Sequence, residues 1–248
     1  MITIDVHGHL GYDYVFDEDF GEAELQKAHA DGIDVTIVQP GTCMNLEDVQ
    51  RQHDAIADLC LRYPGRFFGM ANPSPHLRRE QYEREMERCV KELGFVGVKL
   101  HPLAHAVRPS GRAGERVFST AQALGIPVMV HTGAGVPFAL PSNLIPVAQK
   151  YSQVAIVLAH AGASIYAAEA ELAVKLCPNV YLDTSWCAKH TIIKWVRELG
   201  ADRLMLASDH GENAIVELAK YRSMGLSASD LEWCLGKTAQ KVYRLPVR

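Results

Sequence analysis

The stretch Ile4-Asp5-Val6-His7-Gly8-His9 opens the chain with a short apolar run that ends in two histidines. Because side chains alternate along a strand, His7 and His9 fall on one face, with Cα atoms about 7 Å apart. Two imidazoles at that spacing can reach one cation. The alternative is that they are ordinary histidines of a solvated strand, so the interpretation depends on the residues at the ends of the later strands.

Similar apolar runs recur along the whole chain. They alternate with segments of helical period, which predicts parallel strands joined by right-handed crossover helices. The eight predicted strands cover residues 2–6, 35–39, 67–71, 95–100, 127–131, 154–159, 180–184 and 204–208. Eight such units in 248 residues are typical of a single (β/α)8 TIM barrel, here with an extra C-terminal helix over 227–243. We therefore predict one α/β domain over residues 1–248, with an open doubly wound sheet as the alternative.

Composition narrows the class of protein. Hydrophobic residues make up 48% of the chain and charged residues 22%, which is typical of a globular domain. A net charge of -4 gives no overall basic field to attract nucleic acid or anionic lipid. We see no signal segment, no apolar run near the ~20 residues of a membrane span, and no Cys-x-x-Cys pair. These features predict a cytoplasmic protein with a small-molecule substrate and no nucleic-acid or membrane partner.

Histidines are concentrated at the predicted strand ends. In a barrel, the carboxyl ends of the strands form the active-site face. The residues expected there are His7, His9, His101, His131, His160, Asp209 and His210. Three other histidines, His29, His53 and His76, fall on predicted helix surfaces. The concentration at one rim indicates a functional site.

Four of these residues suit a metal ion. Three imidazoles and one carboxylate form a ligand set for Zn²⁺ or a similar divalent ion, with a position left for water. These residues are His7, His9, His131 and Asp209. The ion lowers the pKa of its bound water toward ~7, and Asp209 can then take the proton as general base.

A lysine lies on the interior face of the fourth predicted strand. Val98 and Leu100 alternate with Lys99, so the two apolar side chains should face the helices and the lysine the barrel interior. A buried lysine is costly unless it is paired, metal-bound, carbamylated or neutral, which makes Lys99 a functional candidate. A structural ion pair with Asp5 or Asp183 is the alternative.

Five segments, in chain order, resemble the amidohydrolase superfamily. The likeness is strongest to its branch of small metal-dependent hydrolases and aromatic-acid decarboxylases, and it covers nearly the whole chain. The segments are Asp5-Val6-His7-Gly8-His9, Gly97-Val98-Lys99-Leu100-His101-Pro102, His131-Thr132-Gly133, Ala159-His160-Ala161-Gly162 and Ser208-Asp209. The resemblance also implies the (β/α)8 fold.

The resemblance implies roles for the strand-end residues. It makes His7, His9, His131 and Asp209 metal ligands. It places His160 beside the metal, where the histidine orients substrate or stabilises charge. In branches with two metals, a carbamylated lysine bridges the ions, and Lys99 can take that part. We expect the single-metal arrangement, with zinc as the ion and manganese or iron as alternatives.

Four rim residues are candidates for contact with substrate. They are His101, Arg108, Trp186 and His210. Arg108 can bind a carboxylate with both guanidinium nitrogens, although a solvated loop arginine is the alternative. Trp186 can instead complete a core or an interface.

The expected activity is metal-dependent hydrolysis of a small ester, lactone or amide, with Asp209 as base. The alternative keeps the site but predicts non-oxidative decarboxylation of an aromatic or unsaturated carboxylic acid. A metal-dependent deoxyribonuclease and a non-catalytic barrel are further alternatives. Exposed apolar residues of the final helix, such as Trp233, suit a homodimer contact.

Overall fold

Nine strands form one curled sheet in the structure, a computed structural model that describes residues 1–247. The strands are β1 (Ile4–Asp13), β2 (Glu18–Phe20), β3 (Val35–Pro40), β4 (Phe67–Ala71), β5 (Gly97–Leu100), β6 (Val128–His131), β7 (Ile156–Ala159), β8 (Val180–Asp183) and β9 (Leu204–Met205). Their order in the sheet is β2-β1-β3-β4-β5-β6-β7-β8-β9, with β2 antiparallel to β1 and the other neighbours parallel. The chain after β9 returns to β1, where the Val6 N–H donates to the Leu206 carbonyl (3.2 Å). This bond joins the two ends of the parallel sheet and confirms the predicted (β/α)8 barrel.

Helices cover the outside of this sheet. They are α1 (Glu22–Ala30), α2 (Leu46–Arg62), α3 (Arg79–Lys91), α4 (Arg112–Leu124), α5 (Ile145–Lys150), α6 (Ala167–Leu176), α7 (Lys189–Leu199), α8 (Ala214–Arg222), α9 (Ala228–Glu232) and α10 (Thr238–Tyr243). Helix α2 begins where the Asn45 side chain accepts a hydrogen bond from the Asp48 N–H (2.9 Å), which satisfies a backbone donor of the first turn. No helix within residues 1–247 is long and apolar enough to span a membrane.

The strands separate two apolar layers. Val98 and Leu100 belong to the cluster between sheet and helices, as their alternation predicted. A second cluster joins the barrel interior to the C-terminal helix, and it includes Ile4, Val6, Met129, Val157, Met205, Val242 and Tyr243. Lys99 is buried, and its Nζ lies 3.8 Å from the sulfur of Met129, one of these interior residues. The apolar cluster thus fills the amino-terminal end of the barrel, which leaves the polar side chains to the other end.

The first strand differs from the prediction. It continues to Asp13, well beyond the predicted strand over residues 2–6, and turns back as β2. Asp13 makes this turn possible because its Oδ1 accepts hydrogen bonds from the Val15 and Phe16 N–H groups (2.9 and 3.0 Å). The register between β1 and β3 also shifts by one residue between Asp5 and Gly8, a bulge that changes the direction in which His7 points.

Two histidines and one tryptophan are more buried than expected. His29 and His53, predicted on helix surfaces, are 9% and 0% exposed. His29 lies against the Thr36 hydroxyl (3.1 Å) and accepts from Arg66 (3.2 Å), so it packs between helix and sheet. Trp233 is half-buried against the outer core where α9 continues through a π-helical turn (Trp233–Lys237) into α10. Periodicity alone did not separate these partly apolar rings from surface residues.

Candidate metal centre

A cavity of about 220 Å³ opens at the carboxyl ends of the strands. Its floor contains Lys99 and Asp209 together with five of the predicted rim histidines, namely His7, His9, His101, His131 and His160. Its walls are largely apolar and include Phe16, Phe20 and Leu103. The site is therefore a small polar floor below an apolar mouth, at the place that the strand order predicted.

Three imidazoles converge on one carboxylate oxygen. The Nε2 atoms of His7, His9 and His160 lie 3.2, 3.5 and 4.0 Å from Asp209 Oδ1. We call these three histidines with Asp209 the histidine cluster. His7 and His9 reach it from β1, His160 from the turn after β7, and Asp209 from the turn after β9. Strand β1 follows β9 around the closed barrel, and β7 is separated from β9 by β8.

Hydrogen bonds fix the orientation of His7. Its Nδ1–H donates to Asp183 Oδ2 (2.6 Å), so Nε2 carries the lone pair. Burial lowers the pKa of His7 to about 3, which keeps the ring neutral. Burial alone would raise the pKa of Asp183, but the interactions with His7 and Ser185 outweigh it and bring that pKa to about 2. The sequence offered Asp183 only as a partner for Lys99, and its place at the end of β8 was the available signal.

The same carboxylate orients His160 through Ser185. The Ser185 hydroxyl donates to Asp183 Oδ1 (2.7 Å), so it accepts from the Nδ1–H of His160 (2.8 Å). The Nε2 of His160 then also carries a lone pair. Two imidazole lone pairs and an anionic oxygen thus face one another, and the lone-pair nitrogen of His7 also lies 2.8 Å from Lys99 Nζ. A divalent cation stabilises such a set of donor atoms. This donor set fits a metal ion.

Lys99 lies inside the barrel, as predicted. Its Nζ is 2.8 Å from His7 Nε2, and burial lowers its pKa to about 8. Its hydrogen-bond partners among residues 1–247 do not include Asp5 or Asp183, the two suggested structural partners. Asp5 instead accepts from the Ser208 hydroxyl (2.5 Å) and from the backbone of His7 (3.0 Å).

His131 lies beside the histidine cluster, with its ring centroid 4.9 Å from that of His160, but its Nε2 is directed elsewhere. Its Nε2–H donates to the Ala134 carbonyl (3.0 Å), and its ring stacks on His101 with centroids 3.9 Å apart. The ligand atoms of His7, His160 and Asp209, in contrast, all lie within 4.8 Å of one another. Ligation by His131 Nε2 would require this nitrogen to lose its proton and leave Ala134. The role of His131 as a ligand stays a prediction.

The four candidate substrate contacts occupy different positions. His101 and His210 line the cavity. Trp186 is half-exposed at its edge, and its indole Nε1–H donates to Asp209 Oδ2 (2.8 Å). Arg108 is exposed on the loop after β5 and is not part of the cavity wall.

A second buried group, between α2 and α3, has the composition of a metal site but not its hydrogen bonding. It comprises His53, Glu85 and Cys89. His53 Nε2 accepts from the Asn72 N–H (3.0 Å), so its Nδ1–H donates to Glu85 Oε1 (2.7 Å). Arg88 donates to the same carboxylate (2.8 Å). With both ring nitrogens of the histidine in use, the group serves to hold α2, α3 and the end of β4 together.

Comparisons with known proteins agree with this architecture. The chain is 25% identical over 255 residues to the gamma-resorcylate decarboxylase of Polaromonas sp., covering 80% of this chain and 77% of that protein. The structure resembles a dihydroxybenzoic acid decarboxylase from Polaromonas sp. with bound manganese and 2-nitroresorcinol (TM-score 0.81, 20% identity, 100% and 98% of the two chains covered). It also resembles a manganese complex of 5-carboxyvanillate decarboxylase from Novosphingobium aromaticivorans (TM-score 0.79, 18% identity, 98% and 96% covered).

The family itself is established by a match along nearly the whole chain. The amidohydrolase family model matches residues 4–245. This range includes all five segments on which the sequence resemblance depends, and it confirms the prediction of an enzyme of this superfamily. With the barrel and the histidine cluster at its strand ends, the match means that the chain belongs to the amidohydrolase family.

Proposed function

We propose that this protein is a metal-dependent, non-oxidative decarboxylase of a hydroxylated aromatic acid. The observation that carries the proposal is the pair of imidazole lone pairs, on His7 and His160, directed at Asp209 Oδ1. The type of reaction is proposed because the similar proteins described above are decarboxylases.

The histidine cluster is the proposed holder of the ion, with His131 as a further ligand. A divalent ion bound there would supply positive charge that attracts the substrate carboxylate. Manganese, present in the two related structures, is the first ion to test, and zinc, expected from the sequence, is the second.

The protein side chains position the ring and supply the proton. Phe16, Phe20 and Leu103 offer apolar surface to a planar aromatic ring and exclude water from it. In the reaction, the bond between ring and carboxylate breaks, its electron pair stays on the ring carbon, and CO₂ leaves while that carbon takes a proton. We assign the delivery of this proton, taken from water in the cavity, to Asp209 at the cavity floor.

Hydrolysis of an ester, lactone or amide, the activity expected first from the sequence, would use the same groups with Asp209 as base. The site geometry serves both reactions. The similarity to decarboxylases favours decarboxylation, and hydrolysis is therefore assayed beside it as the competing reaction.

The test is an assay of CO₂ release from a panel of hydroxybenzoates, run beside ester and lactone substrates. The protein is stripped with a chelator and reloaded with Mn²⁺ or Zn²⁺. We expect CO₂ release from at least one hydroxybenzoate, its loss on chelation, and a decrease of about 10²-fold or more in Asp209→Asn. Asp202→Asn is the control, since Asp202 is a partly exposed carboxylate outside the cavity lining. Ester or lactone turnover without CO₂ would contradict the proposal.

A further inference from the structure

Trp186 has a backbone conformation that is unfavourable for its side chain. Its φ is 61°, in the left-handed region that favours glycine. A bulky residue held there is strained, and such residues are concentrated at functional sites, where the surrounding structure holds them in place. Trp186 is also 51% exposed, so burial of its ring does not account for the conformation.

Polar contacts hold this loop in place. The backbone N–H of Trp186 donates to Glu217 Oε1 (3.0 Å), and Glu217 on α8 is only 2% exposed. Lys220 pairs with the other oxygen of Glu217 and donates to the Cys187 carbonyl (2.8 Å). On the other side, the Ser164 hydroxyl lies 3.4 Å from the Trp186 carbonyl. The loop after β8 is thus anchored to α8 at the position of the tryptophan.

The anchored indole reaches Asp209, the residue at the centre of the histidine cluster. Its Nε1–H donates to Asp209 Oδ2 at 2.8 Å, while Oδ1 faces His7, His9 and His160. Within residues 1–247, the other contact of Oδ2 is His210 Nε2 at 3.7 Å, beyond hydrogen-bond distance. Asp209 itself has a φ of 68°, so two strained residues are joined by this one bond.

We propose that Trp186 is a positioning residue for Asp209. Its indole N–H fixes Oδ2 and thereby prevents the carboxylate from rotating, so that Oδ1 stays directed at the three imidazoles. The inference rests on the proposed function, because it takes Asp209 as a metal-binding and proton-handling group. It differs from the sequence expectation, in which the tryptophan contacts the substrate.

The first test compares Trp186→Phe with Trp233→Phe. Phenylalanine keeps an aromatic ring but removes the N–H donor, and Trp233 lies on the C-terminal helix, away from the cavity lining. Mn²⁺ is titrated into metal-free protein in competition with a chelating dye. We expect the Mn²⁺ dissociation constant to rise about 10–100-fold in Trp186→Phe, the usual effect of losing a group that orients a ligand, and to stay unchanged in Trp233→Phe.

Kinetics separate positioning from substrate contact. We expect kcat to fall in Trp186→Phe with KM nearly constant, because the ring surface remains. A raised KM with unchanged kcat and Mn²⁺ affinity would overturn the inference. Equal Mn²⁺ dissociation constants in wild type and Trp186→Phe would overturn this inference and leave the proposed function standing. A wild-type protein that binds no divalent metal would overturn both.

A metal-free measurement tests the hydrogen bond directly. The chain has three tryptophans, so a ¹H–¹⁵N spectrum contains three indole signals, and Trp186→Phe identifies one of them. In Asp209→Ala without metal, we expect this signal to move upfield and the other two to stay in place. A Trp186 signal that does not move would overturn the inference even if both variants alter activity.

Discussion

Asp183 orients two histidines of the histidine cluster at once. Its Oδ2 accepts from His7 Nδ1–H, and its Oδ1 holds the Ser185 hydroxyl, which in turn accepts from His160. The carboxylate is 0% exposed, so water does not compete for these bonds. One buried anion thereby determines which nitrogen of each ring is free for a cation.

Asp183→Asn should therefore weaken metal binding without removing any ligand. The amide replaces one acceptor oxygen by an N–H₂ group, which turns at least one of the two histidines to the wrong tautomer or leaves it without a partner. We expect the Mn²⁺ dissociation constant to rise about 10–100-fold and kcat to fall by a similar factor. Dye competition measures the first and CO₂ release the second. Asp202→Asn is the matched control. Unchanged Mn²⁺ affinity in Asp183→Asn would contradict this assignment.

At the scale of elements, β1 joins the metal centre to the cavity wall. It carries His7 and His9, and the hairpin that follows it contributes Phe16 and Phe20. The Phe20 ring stacks on His9 with centroids 4.7 Å apart. The loop after β3 packs against the backbone of this hairpin, so the wall depends on close backbone packing there.

Gly41 is the point of closest approach. A Cβ added at Gly41 would lie 2.6 Å from the backbone of Tyr12 and Asp13, so Gly41→Ala must displace the hairpin. We expect a loss of about 1–3 kcal/mol in the free energy of unfolding and a several-fold higher KM, with Mn²⁺ affinity nearly unchanged. Urea unfolding and steady-state kinetics measure the two effects.

Gly21→Ala is the control for this substitution. A Cβ at Gly21 meets its nearest heavy atom at 4.0 Å, so the added methyl group has room. If the two alanine variants unfold at the same urea concentration and have the same KM, the hairpin does not depend on Gly41.

At the scale of the whole molecule, the barrel buries several histidines in their neutral form. Burial lowers the pKa of His7 to about 3 and that of His29 and His105 to about 4. The same cause lowers the pKa of His9 and His53. In the unfolded chain, these imidazoles titrate near their ordinary pKa of about 6.5.

Stability should therefore fall as the pH falls below about 6.5. Between that pH and the folded-state pKa values, the unfolded chain binds more protons than the folded one, so the free energy of unfolding decreases with decreasing pH. Urea titrations of metal-free protein from pH 7 to pH 4 measure the slope. His29→Gln should remove up to about 3 kcal/mol of this dependence. A wild type equally stable throughout the range would contradict the prediction.

The homodimer contact at Trp233 and the cytoplasmic location remain predictions at this scale. The half-buried position of Trp233 leaves part of its ring available for such a contact. Sedimentation of the purified protein measures its oligomeric state.

Local patterns by themselves determined the barrel and the residues at its rim. Strand alternation placed Lys99 inside and Val98 outside, and the order of strand ends brought His7, His9, His160 and Asp209 to one face. These features depend on periodicity and chain order, which a sequence states directly.

Only the tertiary structure decided how those side chains are used. It turned His131 toward Ala134, buried His29 and His53, and extended β1 into a hairpin. The bond between His7 and Asp183 joins residues 176 positions apart, and the bond from Trp186 to Asp209 joins two strained loops. Tautomers, rotamers and burial depend on such distant contacts, which no local pattern contains, whereas the barrel depends on patterns repeated in every segment.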